Sequence, residues 1–208
     1  VGVFEMTSQG LVEVPDPSRA LLSQRYEQAV GSVLIPVVEG SRPLMLEVQA
    51  LTSPSQLPVP RRVVNGMDYN RLLMLTGVAS RRAGLDLSGQ DIIVSVAGGF
   101  RVTEPAADLA VVLALGSSLY NRAMDSSTIT FGEVGLSGEI RTVPQGQRSL
   151  QEAARLGFSR CILPQATVDA EDVPTGMEVI AVRTLKDALT ASVGTARQHR
   201  DVGAGAIP

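Results

Sequence analysis

An α+β domain is what this sequence predicts, and three observations point to it. Short apolar or alternating runs bounded by turn residues recur along the chain, as in GSVLIPVVEG, RPLMLEVQAL, DIIVSVAGGF and FSRCILP, and read as strands. Between them lie apolar-periodic stretches long enough for helices, chiefly Asp68 to Arg82 and EPAADLAVVLAL at 104–115. The 208 residues are 44% hydrophobic but only 3% aromatic, so a single core would be filled by Val, Leu, Ile and Ala.

Each element follows from local chemistry. VGVFEM is a short apolar strand with no evident partner nearby, followed by a Ser-Gln-Gly turn. Ser18 is placed to cap a helix in SRALLSQRYEQ, its hydroxyl accepting from a first-turn amide. GSVLIPVVEG and RPLMLEVQAL, joined by Glu-Gly-Ser, form a hairpin. LTSPSQLPVP carries three prolines in ten residues and reads as a loop. RRVVNG gives a short strand and an Asn-Gly turn. The following helix starts at Asp68 and stops at Gly84, with Arg81 and Arg82 complementing its negative end. Gly98-Gly99 allows a tight bend before Arg101, and Pro105 opens the next helix without losing a hydrogen bond. STITFGEVGL and SGEIRTV read as strands about a glycine turn, then come a helix over 147–156 stopped by Gly157, and the strands FSRCILP and GMEVIAV.

Composition narrows the chemistry. The one lysine, Lys186, reads as a solvated charge on a short helix, and the one histidine, His199, lies in a polar tail. A serine nucleophile needs a neighbouring base, and neither residue is a credible one. There is no G-x-x-x-x-G-K-[ST] phosphate loop, and GEVGLSGE is better read as a hairpin turn. The lone Cys161 in an apolar strand reads as a buried small hydrophobe, with no partner for a disulfide or zinc. Glu133 and Glu139 flank the hairpin and could face one another, as solvated rather than catalytic carboxylates. No apolar run reaches the roughly 20 residues that cross a bilayer, so a cytoplasmic protein without a membrane partner is expected. Net charge is −3, yet residues 61–101 carry six arginines against three aspartates. Attraction to phosphates depends on local field, so this stretch could face a polyanion; solvation of one face explains the same charges.

The stretch GEVGLSGEIRTVPQGQRSLQEAARLGFSRCILP, with EPAADLAVVLAL upstream, resembles the proteolytic domain of the Lon family, whose active site is a serine–lysine pair. That resemblance implies a Lon protease-like fold, of the ribosomal protein S5 domain 2-like kind. It also implies an inactive site, with Ala106 at the serine's position and Gln147 at the lysine's. VFEM, GLVEVPDPS, RRVVNGMDYNR, VAGGFRVTEPAADLAVVLAL and FGEVGLSGEIR, in order over residues 3–164, resemble more closely the Lon-like domain of the RadA (Sms) family of bacterial DNA repair proteins. By that resemblance, residues 1–15 are a tail and linker from a preceding RecA-like ATPase, 16–194 the Lon-like domain and 195–208 a C-terminal tail. It further implies a hexameric ring acting in branch migration, with RecA recombinase as a partner and ATP, Mg and Zn held by other domains. DNA-contacting arginines would fall at Arg62, Arg71 and Arg101. The alternative expectation is a peptide- or protein-binding module that keeps a groove near Ala106 and Gln147; displaced nucleophiles at Ser137 or Ser149 rank last.

Overall fold

The computed structural model describes residues 4–8, 10–14, 16–23, 26, 28–39, 42–167 and 173–193. His199 and the expected 195–208 tail lie outside the described residues.

β1 (Phe4–Thr7) does have a partner: it pairs antiparallel with β2 (Gly10–Glu13), the segment that directly follows it, placing Met6 opposite Leu11. α1 (Pro17–Leu22) is shorter than SRALLSQRYEQ suggests and begins before Ser18. The Ala20 amide donates to the Asp16 carbonyl at 3.1 Å, which puts the helix start at Asp16. Ser18 is buried, and its hydroxyl accepts the Met45 amide at 3.1 Å, so it docks the helix on a strand instead of capping it.

β3 (Ser32–Glu39) and β4 (Arg42–Pro54) form the expected hairpin. β4 runs on past RPLMLEVQAL through Thr52, Ser53 and Pro54, which the sequence reading assigns to a loop. Pro54 is tolerated because it is the strand's last residue, where a missing N–H interrupts no ladder beyond it. β5 (Arg62–Asn65) leads through Gly66 into α2 (Tyr69–Val78), whose start is capped by Asp68: its carboxylate accepts the Arg71 amide at 2.8 Å. The helix widens into a π turn at Ala79–Ala83 and stops at Gly84 in the left-handed region. β6 (Gln90–Val96) then enters a bend in which Gly98 and Gly99 both have positive φ. A 3-10 turn at Pro105–Ala107 opens α3 (Asp108–Tyr120). β7 (Thr128–Thr130), the small hairpin β8 (Glu133–Val134) and β9 (Ile140–Arg141), α4 (Gly146–Arg155), β10 (Arg160–Pro164), β11 (Glu178–Val182) and α5 (Leu185–Ser192) complete the order.

Seven strands make one mixed sheet in the order β11-β10-β7-β3-β4-β6-β5. β4 runs antiparallel to β3 on one side and to β6 on the other, while every other pairing, β6 with β5, β3 with β7, β7 with β10 and β10 with β11, is parallel. One face is covered along the sheet by α2, α3 and α5, with Leu72, Leu109, Leu113 and Leu189 packed on Val33, Val48 and Val94. The other face is covered over β3, β7, β10 and the start of β4, where Leu34, Met45, Phe131 and Leu163 meet Leu150 and Ala153 of α4 and Leu22 of α1. The sheet is therefore sandwiched at one end and single-sided at the end formed by β4, β6 and β5. Cys161 lies within this second core, and burial pushes its thiol well above the usual range.

Gly66 joins the turn to the bend that follows β6. Its φ is +81°, its carbonyl accepts the Val102 amide at 2.8 Å, and an added Cβ would lie 2.6 Å from the Phe100 carbonyl oxygen. Strain and collision act together at that point. Gly66→Ala is expected to lower unfolding free energy by roughly 1–3 kcal/mol, read from urea melts; an unchanged midpoint would contradict this packing.

Candidate functional site: the Arg71–Asp108 cleft

α3 is apolar from Leu109 to Leu115, and Asp108 is the one charged residue between Pro105 and Tyr120. It is 2% exposed. A carboxylate at that depth requires donors, because desolvating it unpaired costs several kcal/mol. Three are supplied. Arg71 Nε donates to Oδ1 at 2.8 Å, Arg71 Nη2 donates to Oδ2, and the Val134 amide donates to Oδ2 at 3.1 Å. One carboxylate thus joins α2, the start of α3 and strand β8. Burial pushes the Asp108 carboxyl above its usual range, against the downward pull of Arg71 and the Val134 amide. Arg71 is held more firmly protonated by its hydrogen bonds to Asp108, against its own partial burial.

Beside this pair lies a cavity of about 410 Å³. Arg71 and Asp108 line it together with Arg101, Asp68, Glu104 and an apolar wall that includes Val48 and Val96. Arg101 projects from the double-glycine bend, is exposed, and among the described residues has no hydrogen-bond or ion-pair partner. The lining holds two guanidinium groups and three carboxylates, so it is not a uniformly basic cradle.

The three arginines expected to act together have different environments. Arg62 is half-buried, and its guanidinium donates to main-chain carbonyls: Nη2 to Leu87 at 3.0 Å, and Nη1 to Arg61 at 2.9 Å and to Gln90. It ties the start of β5 to the turn before β6. Arg71 gives Nε and Nη2 to Asp108 and keeps Nη1 outside that pair. Of the three, only Arg101 has a head group with no partner among the described residues. Arg71 and Arg101 share the cleft; Arg62 is not among its lining residues.

Ala106 is buried in the 3-10 turn, and its carbonyl accepts the Gly132 amide at 2.9 Å. It borders a second cavity of about 180 Å³, with Val38, Pro105, Val143, Pro144 and Gln145 among its walls. Gln147, on the first turn of α4, is half-buried and is not among those walls. Glu133 and Glu139 do not oppose each other. The β8–β9 register sets Glu133 against Arg141, while the Glu139 carboxylate accepts from the Ser137 amide at 3.0 Å and from Arg141. Ser149 is buried on α4 and Ser137 is exposed in the hairpin turn. Arg82 reaches that same turn, donating to the Leu136 carbonyl at 3.4 Å.

Asp108 is the residue that sequence reasoning missed. Its signal was available: a lone carboxylate at the head of an otherwise apolar helix must find a donor, and an arginine is the commonest buried partner.

Residues 77–167, from the end of α2 to just beyond β10, match a family model described as subunit ChlI of Mg-chelatase. Over nearly its whole length the chain is similar to the bacterial DNA repair protein RadA. It is 48% identical over 190 residues to RadA of Escherichia coli K12, covering 91% of this chain and 41% of that protein. Identity is 50% over 190 residues to RadA of Salmonella typhimurium LT2, with the same coverage. It is 42% over 194 residues to RadA of Bacillus subtilis 168, covering 93% of this chain and 42% of the relative. The chain is thus homologous to a region of RadA, and spans about two fifths of the length of the relatives it matches. Among the described residues no helix is long and apolar enough to cross a membrane.

Removing Asp108 would leave the Val134 amide without its carboxylate acceptor and Arg71 partly buried without its hydrogen-bonded counter-charge. Asp108→Ala is expected to cost about 3–5 kcal/mol of stability. Asp108→Asn, which keeps acceptor capacity, should cost less. Equal melting temperatures for wild type and Asp108→Ala would remove the pair from its structural role.

Proposed function

We propose that this chain is a non-enzymatic scaffold and DNA-contact domain of a bacterial DNA repair ATPase. The observation that carries the reading is 41–50% identity to DNA repair proteins over about nine-tenths of the chain. The mixed sheet with apolar α3 and the β8–β9 hairpin is compatible with a Lon protease-like fold. Alanine at position 106 and glutamine at 147 fit the loss of a serine–lysine pair.

In this reading the chain belongs to a hexameric ring that drives branch migration of recombination intermediates in the cytoplasm, working with RecA recombinase. ATP, Mg and Zn would be held by parts of the longer protein outside this chain. Contact with DNA would be sequence-independent, because a guanidinium meets any phosphate oxygen with charge-assisted hydrogen bonds. Arg101 is the principal contact, since its head group is free. Arg71 contributes through Nη1 once Asp108 has oriented it. Arg62 contributes less directly, by holding the β5–β6 corner that precedes the bend. A ring multiplies such weak contacts by presenting several copies to one strand.

The roughly 180 Å³ cavity beside Ala106 favours a second reading, a peptide-binding module with mostly apolar walls. Saturable binding of an unfolded peptide, weakened by Ala106→Phe and indifferent to Arg101, would support that alternative.

Fluorescence anisotropy with labelled single-stranded DNA, over a range of salt, tests the main reading. Arg101→Ala is expected to weaken binding several-fold, reduce the salt slope by about one counterion and leave the melting temperature unchanged. Arg71→Ala should weaken binding and also destabilise the fold. DNA affinity unchanged in Arg62→Ala, Arg71→Ala and Arg101→Ala would reduce the chain to an assembly domain.

A further inference from the structure

The cleft beside Arg71 and Asp108 is not shaped for a phosphate alone. Its floor is apolar: Val48 of β4 and Val96 of β6 stand opposite each other in register, and Val102 and Val111 complete it, all four buried. Its rim is polar and carries both signs of charge. Arg71 keeps Nη1 outside its pair with Asp108, and Arg101 has no partner among the described residues. Asp68 accepts the Arg71 amide on Oδ1, while its Oδ2 has no partner among the described residues. Thr103 and Glu104, both exposed, close the rim. Asp108 is already held by three N–H groups.

Those features select an occupant. A phosphate inside the cleft would meet the Asp68 and Glu104 carboxylates at close range, where like charges repel. A purely aliphatic group would displace water from Asp68 Oδ2 and Arg71 Nη1 and leave both without partners. What remains is a neutral, flat group with apolar faces and a hydrogen-bonding edge. The cavity of about 410 Å³ falls within the roughly 300–1,000 Å³ of sites that hold small organic ligands.

We propose that the cleft receives one unstacked nucleobase of a single strand, while Arg101 at its mouth holds the adjoining phosphate. The inference rests on the DNA-contact reading above and adds to it what part of the DNA is gripped. Every base carries at least one N–H donor and one acceptor along its pairing edge. Asp68 Oδ2 accepts from the first and Arg71 Nη1 donates to the second, while the valine floor meets the body of the ring. In a duplex that edge is paired and the ring faces are stacked, so only an unpaired base can enter. A donor and an acceptor side by side suit all four bases, so entry tolerates any sequence.

Fluorescence anisotropy with the full chain compares two labelled single strands of equal length, one intact and one with a central run of abasic sites. Both carry the same phosphates, so the comparison isolates the base. The intact strand is expected to bind about tenfold more tightly. A base carries no charge, so that ratio should persist as added salt weakens both strands. Thr103→Leu, at an exposed rim position, adds aliphatic bulk to the cleft without changing its charge. It should bring the ratio close to one and leave the melting temperature unchanged. Equal affinity of the unaltered chain for the two strands would overturn the base pocket and leave phosphate contact standing. A ratio that survives Thr103→Leu would put the base elsewhere and overturn it too. Failure to bind either strand at low salt would sink the DNA-contact reading, and this inference with it.

Discussion

The Asp108 carboxylate is the constraint on which the rest of the cleft depends. It stands where an apolar helix meets a 3-10 turn, almost wholly removed from water, and it is tolerable there only because three N–H groups converge on it. Two come from a helix that starts 39 residues earlier at Tyr69, and one from a strand that starts 25 residues later at Glu133. Buried ion pairs add little net stability, since desolvation offsets most of the attraction, but they penalise any arrangement that separates them. The pair therefore specifies how α2, α3 and β8 meet more than it strengthens the fold. Arg71 is oriented by the same interaction, and the cavity beside it takes its shape from elements that Asp108 holds together.

Around that pair the backbone is set by local rules. Asp68 caps α2, Gly84 ends the π turn in the left-handed region, and Gly66 gives its carbonyl to Val102 in a conformation a side chain would strain. The Gly66–Val102 hydrogen bond holds the segment that leaves the double-glycine bend, and Arg101 projects beside it. Position and freedom are distinct properties here. Arg62, Arg71 and Arg101 all belong to one basic stretch of chain. The fold engages the first with carbonyl oxygens, the second with a carboxylate, and leaves the third open to solvent.

Much of this was legible in the sequence because its causes are local. Hairpin signals, the Asp68 start, the Gly84 stop and the proline-opened α3 each depend on a few adjacent residues. Where the reading failed, the cause was a tertiary contact. Ser18 looks like a helix cap until β4 presents the Met45 amide to it. LTSP looks like a loop until β6 pairs with it and Pro54 falls at the strand's end. The β1 strand finds its partner in a segment whose own signal is weak. The cleft is partly legible: its arginines stand in the basic stretch of sequence, but the carboxylate that holds one of them lies 37 residues away and no periodic pattern links the two.

The sheet has one further property, and it concerns the route by which the chain reaches this state. β3, β4, β6 and β5 come from a continuous run of sequence, and β7, β10 and β11 from a later one; the two runs meet where Leu34 registers with Ile129. Closing that seam brings together residues nearly a hundred positions apart, and loop closure must precede any reward from the contact. High contact order of this kind slows the search, and until the seam closes the lateral edge of β3 lies open to mispairing.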